Sequence, residues 1–338
     1  MIGWRTKSAL LFGSLLLCLA AGEVAVRLLE GQREIEYEVD PELYWVLRPN
    51  QDGFLRLGPL GRPSPPVRIN TLGLRGADVA PPDAERVRIL ALGDSYTFGW
   101  GVAEDETFAA ALERAATPAR VEVVNGGGPG YGLFQTLERA RRLLPVLRPA
   151  VVLLTLPPAD IMRQPFPDAA ATERYLRTYR WQKRLRAWSR LGTLTYRQLV
   201  HLRARLTAQH DSLPTVRQDD GEAAFAANWQ RDQERLRELA ALCARHGAAL
   251  AVMAWPDKAN GARDAALTAG LDRLAGEGLL VALPDLRDAL RPLPPAAWLL
   301  PDDPHPSAAA HALAGRYLAT ALAPLIAARA TTPAGSVS

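Results

Sequence analysis

The order of elements along this chain predicts an α/β protein, a three-layer α/β/α sandwich whose central sheet has five parallel strands. Two observations carry that expectation. From Arg86 onward, short runs of β-branched and aliphatic residues alternate with longer stretches of helical period, the pattern of a parallel sheet covered on both faces. The first two of these runs end in glycine-rich turns, as strands do where doubly wound sheets place their ligands. A chain of 338 residues that is 48% hydrophobic can also bury one sizeable core without help from a metal or cofactor.

Residues 1–30 form a separate piece. Arg5 and Lys7 precede an apolar stretch from Ala9 to Gly22, which Glu23 interrupts and Val24-Ala25-Val26 resumes before Arg27. Basic residues ahead of an apolar segment fit either a cleaved signal peptide, with Cys18-Leu19-Ala20 or Leu19-Ala20-Ala21 near the cut, or an uncleaved signal anchor. The helical pattern runs on through Val24, Val26, Leu28 and Leu29 without turn residues, which favours the anchor, with residues 8–29 in an inner membrane and the remainder in the periplasm or outside. Leucine before Cys18 is a poor lipobox. Cys18 and Cys243 are the only cysteines and lie in unlike surroundings, so no internal disulfide is expected.

Residues 31–85 carry Tyr37, Tyr44 and Trp45 and then a Pro/Gly-rich run, and are expected as an extended membrane-proximal segment. Within it, Val67 to Gly76 reads as a strand and turn, an edge strand more readily than a substrate contact through Asn70 or Arg75. The main domain spans 86–330. Its strands are expected at 86–92, 121–125, 150–156, 248–255 and 279–284. Its helices are expected at 107–117, 133–146, 222–246, 262–276 and 308–327, and 331–338 as a disordered tail.

An insertion from about 161 to 221 separates the third and fourth strands. Arg174 to Arg205 holds many cations and no acid, with tyrosines and tryptophans interleaved. Such a helical stretch could touch anionic lipid, cover a site as a lid, or grip an anionic polymer, and Trp181, Arg184 and Trp188 are its candidate substrate or lid residues. No base-reading motif accompanies it, so nucleic acid is not expected as a partner.

The chemistry concentrates at strand ends. Val87-Arg88-Ile89-Leu90-Ala91-Leu92 runs into Gly93-Asp94-Ser95, which would hold a serine hydroxyl at the sheet's carboxyl edge. A serine needs a base and an orienting group. Pro301-Asp302-Asp303-Pro304-His305-Pro306 offers both: Asp302 accepting from Nδ1 of His305, and Nε2 left to face Ser95. Asp303 is expected to face solvent. The second strand leads into Asn125-Gly126-Gly127-Gly128-Pro129-Gly130, whose bare backbone suits an oxyanion and whose spacing fits no nucleotide loop. A metal site from Asp302, Asp303 and His305 lacks further ligands nearby, so neither metal nor cofactor is expected. Asp94 and Asp160 read as turn-stabilising acids, and His201, His210 and His246 as structural.

Taken in order, these blocks resemble the SGNH/GDSL hydrolases over roughly residues 86–328. Gly93-Asp94-Ser95 matches the first block, Asn125 to Gly130 the second, Ala150 to Ile161 the third, and Asp302-x-x-His305 the last. The resemblance implies a flavodoxin-like sheet and a Ser95, Asp302, His305 triad. Its oxyanion hole would be formed by the Ser95 and Gly130 N–H groups, with Asn125 as a further candidate. It departs at Ala159, where the family's asparagine would donate to the oxyanion; losing one such donor typically lowers turnover by about 10²–10³ fold. The implied activity is a membrane-anchored esterase that removes a small acyl group, such as acetyl, from a cell-envelope polysaccharide or lipid. An O-acyltransferase with the same triad and a catalytically silent binding protein are the alternatives.

Overall fold

The computed structural model describes residues 3–29, 33–57, 62–83, 85–116, 120–207, 221–256, 261–301 and 303–330. They form two compact units, Met1–Arg33 with Pro167–Pro214, and Glu34–Phe166 with Thr215–Ser338. The first unit begins with α1 (Trp4–Leu29), which is long and apolar enough to cross a membrane.

The second unit opens with small antiparallel ladders. Strand β1 (Tyr37–Asp40) pairs with β2 (Tyr44–Leu47), β3 (Gln51–Gly53) with the later β6, and β4 (Arg56–Leu57) with β5 (Arg62–Pro63). Strand β6 (Val67–Ile69) closes this region. Far from being only an extended link, it is folded against the domain: Ile35, Leu47, Leu55, Val67 and Ile69 pack with Phe98 in one buried cluster. The Trp45 indole donates to Pro129 O at 3.0 Å, and the Tyr131 hydroxyl donates to Trp45 O at 2.7 Å. The glycine loop is thereby tied from outside.

The sheet and its helices follow as β7 (Val87–Leu92), α2 (Ser95–Phe98), α3 (Phe108–Ala115), β8 (Val121–Asn125), α4 (Leu133–Leu147), β9 (Val151–Leu156) and α5 (Pro158–Ile161). Then come α6 (Ala169–Trp188) and α7 (Arg190–Thr207), which belong to the first unit. The second unit resumes with α8 (Glu222–Arg245), β10 (Ala249–Ala254), α9 (Gly261–Gly276), β11 (Val281–Ala282), α10 (Leu286–Leu290), α11 (Ala308–Ala321) and α12 (Ala323–Ala330). The sheet order is β11-β10-β9-β7-β8 and all its pairings are parallel. Every residue of β7 and β9 is buried, as expected of central strands covered on both faces. Leu90, Leu92, Val152 and Leu154 face one side, against α4, α8 and α9. Ile89, Ala91, Val151 and Leu153 face the other, against α3, α10 and α11. This is the three-layer sandwich.

Chain direction reverses its order of addition between β7 and β9, so the crevice beyond the carboxyl end of β7 is the switch point where doubly wound sheets bind ligands. Ser95 stands there. Two elements are shorter than expected: β11 pairs through only two residues, and the last helix breaks at Leu322 into α11 and α12. The tail from 331 lies outside the described residues.

In the first unit, Ser189 adopts an extended conformation that ends α6 and lets α7 start afresh at Arg190. The Glu23 carboxylate of α1 accepts from the Ser189 hydroxyl at 2.9 Å and from the Arg190 and Leu191 N–H groups at 2.9 and 3.0 Å. An acid on α1 therefore satisfies the otherwise orphaned first amides of α7.

Candidate active site

Ser95 is the first residue of α2, and Asp94 caps that helix by accepting from Tyr96 N. The turn that delivers it requires glycine at 93. The φ of Gly93 is +145°, and a Cβ there would lie 2.3 Å from Thr97 Oγ1 and 2.7 Å from Thr155 O. The Ser95 hydroxyl sits 2.8 Å from His305 Nε2, although the two residues are 210 positions apart. Across the ring, Nδ1 lies 2.5 Å from Asp303 Oδ1, which also accepts from the His305 N–H at 3.1 Å. With the carboxylate on Nδ1, that nitrogen carries the proton and Nε2 is left as the acceptor facing the serine.

The carboxylate on Nδ1 is that of Asp303, where Asp302 was expected; Asp302 itself lies outside the described residues. The reason is local. A carboxylate that accepts the N–H two residues on closes an Asx turn, and this turn lays Asp303 beneath the imidazole of the residue whose amide it binds. The Asp303 side chain is correspondingly only 6% exposed instead of facing solvent. Tyr96 braces the arrangement by donating its hydroxyl to Pro304 O at 3.0 Å, and the Tyr96 and Trp100 rings each lie 5.6 Å from the His305 ring.

The glycine loop lies directly against the serine turn. A Cβ on Gly127 would be 2.2 Å from Phe98 N, so only a bare backbone allows this approach. Among the described residues neither the Ser95 N–H nor the Gly130 N–H is taken by a protein acceptor, which leaves both able to bind an oxyanion. Asn125 does not join them. Its amide donates to Thr97 O at 3.0 Å and Phe98 O at 3.3 Å, and its carbonyl accepts from Gly127 N at 3.1 Å, so it locks the loop instead. Ala159 is exposed on α5 and offers no donor.

Arg163 is a site residue that the sequence did not single out. Arg163 Nη1 donates to Asp94 Oδ2 at 3.0 Å, to Asp160 Oδ1 at 2.5 Å and to Tyr131 O at 3.1 Å, holding the serine turn, α5 and the glycine loop together. Burial and the nearby Asp94 charge push the Asp160 carboxyl well above its ordinary value. Burial works against the Arg163 charge, but the Asp160 and Asp94 carboxylates outweigh it and raise its pKa. Arg75 is buried, and its guanidinium donates to Phe98 O at 2.9 Å, Gly99 O at 2.5 Å and Val102 O at 2.7 Å, clamping the chain that leaves α2. Asn70 holds its own turn, accepting from Leu72 N and Leu74 N and donating to Ala77 O, so both residues act on the fold. Trp181, Arg184 and Trp188 are exposed on α6 of the first unit. Among the described residues no group of acids, histidines and cysteines could hold a metal. His210 lies outside those residues.

No family model matches the chain, and no curated protein matches it. Several solved structures resemble it at low identity. TesA superposes with a TM-score of 0.45 at 17% identity over 70% of this chain and 99% of its own. The esterase EstA from Pseudoalteromonas sp. gives 0.45 at 15% over 70% and 97%. Axe2, an acetylxylan esterase from Geobacillus stearothermophilus, gives 0.41 at 17% over 71% and 93%.

Proposed function

We propose that this chain is a serine ester hydrolase of the SGNH/GDSL kind, held by α1 at the outer face of an inner membrane and acting on acyl esters of envelope carbohydrate or lipid. The observation that carries the reading is the 2.8 Å approach of His305 Nε2 to Ser95 Oγ, with Asp303 on the opposite ring nitrogen. In this mechanism His305 takes the Ser95 proton as the hydroxyl attacks the ester carbonyl, and Asp303 steadies the imidazolium. The Ser95 and Gly130 N–H groups receive the oxyanion. His305 then returns its proton to the leaving alcohol, and water, activated by the same imidazole, releases the acid from Ser95. The acyl group in this reading is a small one such as acetyl, with the Tyr96 and Trp100 rings each 5.6 Å from the His305 ring.

The test is labelling of the full chain by a fluorophosphonate together with hydrolysis of a chromogenic acetyl ester. We expect both in the native chain and neither in Ser95→Ala. Equal turnover by the alanine variant, or a native Ser95 that stays unlabelled, defeats the reading. Product analysis with a labelled acyl donor and an oligosaccharide acceptor separates hydrolysis from transfer.

A further inference from the structure

Within the first unit, Arg177, Trp181, Arg184 and Trp188 follow one another at intervals of four, three and four along α6, so they share one face of the helix. All four are exposed, Trp188 by 88% and Trp181 by 55%. Alternating guanidinium and indole groups over about 16 Å of helix do not make a core face. Their chemistry is that of a bilayer interface, where indoles sit at headgroup depth and cations meet anionic lipid.

The position of the stripe relative to α1 sets its depth. Trp188 ends the stripe and, with Leu19 and Glu23 of α1 and Leu191, Tyr196 and Leu199 of α7, lines a groove of about 830 Å³ whose walls are largely apolar. Glu23 lies five residues before Leu28, where the apolar span ends, which is about 7–8 Å of helix rise. The Glu23 contacts to Ser189, Arg190 and Leu191 fix the junction of α6 and α7 at that level. Leu199, on the groove's rim, is 60% exposed. In water this apolar rim and two open indoles would be an unfavourable surface; at the boundary of the leaflet that α1 crosses they are covered.

We infer that the Arg177, Trp181, Arg184, Trp188 face of α6 docks on the anionic phospholipid surface of the leaflet into which the carboxyl end of α1 emerges, with Trp188 and the groove against the first carbons of the acyl chains. The inference rests on reading α1 as a retained span. It gives the insertion a second membrane contact that pins the orientation of the α1 anchor, which a single span leaves free to rotate.

The experiment uses the full chain carrying Cys18→Ser and Cys243→Ser, reconstituted in phosphatidylcholine vesicles with or without phosphatidylglycerol. A fluorophore is placed on Leu16→Cys or on Trp188→Cys and challenged with nitroxide lipids, shallow or deep, and with aqueous iodide. The expected result is quenching at 16 by deep nitroxide, and at 188 by shallow nitroxide with little access for iodide. Phosphatidylglycerol should strengthen the contact at 188, and the double variant Arg177→Glu, Arg184→Glu should lower the ratio of lipid to iodide quenching there by about tenfold. A label at 188 open to iodide while 16 is lipid-quenched overturns the docking and leaves the span standing. Iodide reaching 16 removes the span and the docking with it. Protection at 188 that requires an added anionic polysaccharide assigns the face to that polymer and overturns the lipid reading.

Discussion

Arg163 carries the charge balance beside the serine turn, one cation between two buried carboxylates. Replacing it by methionine leaves the buried Asp94 carboxylate without its counterion, and removing one partner of a buried pair costs about 3–5 kcal/mol. Because Asp160 is already pushed toward its protonated form, Asp160→Asn should cost less than about 1 kcal/mol; urea unfolding of the two variants compares them directly. His311 is a second buried site. It is packed against Phe108 and Trp255, its Nδ1 accepts from Phe108 N at 3.2 Å, and among the described residues its Nε2 has no hydrogen-bond partner. Burial, then the Arg75 charge and the proximity of His305, pull its pKa from 6.5 down to about 3. Above pH 6.5 both folded and unfolded chains hold it neutral, whereas below that only the unfolded chain takes up the proton. Stability should therefore fall as pH drops from 6.5 toward 3, by up to about 4–5 kcal/mol from this group, and His311→Gln should flatten that limb in melts across the range. For the acid of the triad, Asp303→Asn should lower turnover by about 10³–10⁴ fold while Asp302→Asn leaves it nearly unchanged, measured on the acetyl ester. Sequence spacing could not choose between these neighbours, because the choice is made by which carboxylate accepts the His305 amide.

At the scale of elements, the glycine loop and α2 behave as one piece. Their backbones touch at Gly127 and Phe98, and Arg75 and Asn125 both donate to Phe98 O. Gly127→Ala should therefore destabilise by about 3 kcal/mol or more and lower fluorophosphonate labelling of Ser95 at temperatures where the chain is still folded. The central strands were legible because their composition is the consequence of burial on both faces, and the Ser95 and His305 segments because strand-end glycines and prolines mark them. The expected Asn125 donor was not legible as a loop tie, since an amide beside an oxyanion loop serves either purpose. Nor did the basic insertion announce its attachment to α1. The partners of Glu23 there include backbone N–H groups, which every residue but proline possesses and no sequence pattern labels.

For the whole molecule, the region around residues 34–76 is part of the second unit even though it precedes the first strand of the central sheet. Five buried apolar residues from it pack with Phe98, each contributing about 1.5–3 kcal/mol, which together rivals the usual net stability of a domain. A chain starting at residue 86 should show no cooperative melt and no esterase activity, whereas one starting at 34 should retain both. Scanning calorimetry and acetyl-ester turnover decide it. The separation of 210 residues between Ser95 and His305 has a consequence in time as well as in space. Synthesis runs from the amino end, so the growing polypeptide carries its alcohol for 210 residues before the imidazole that faces it is made. A ribosome that stalls before codon 305 therefore releases a chain in which Ser95 has no imidazole opposite it.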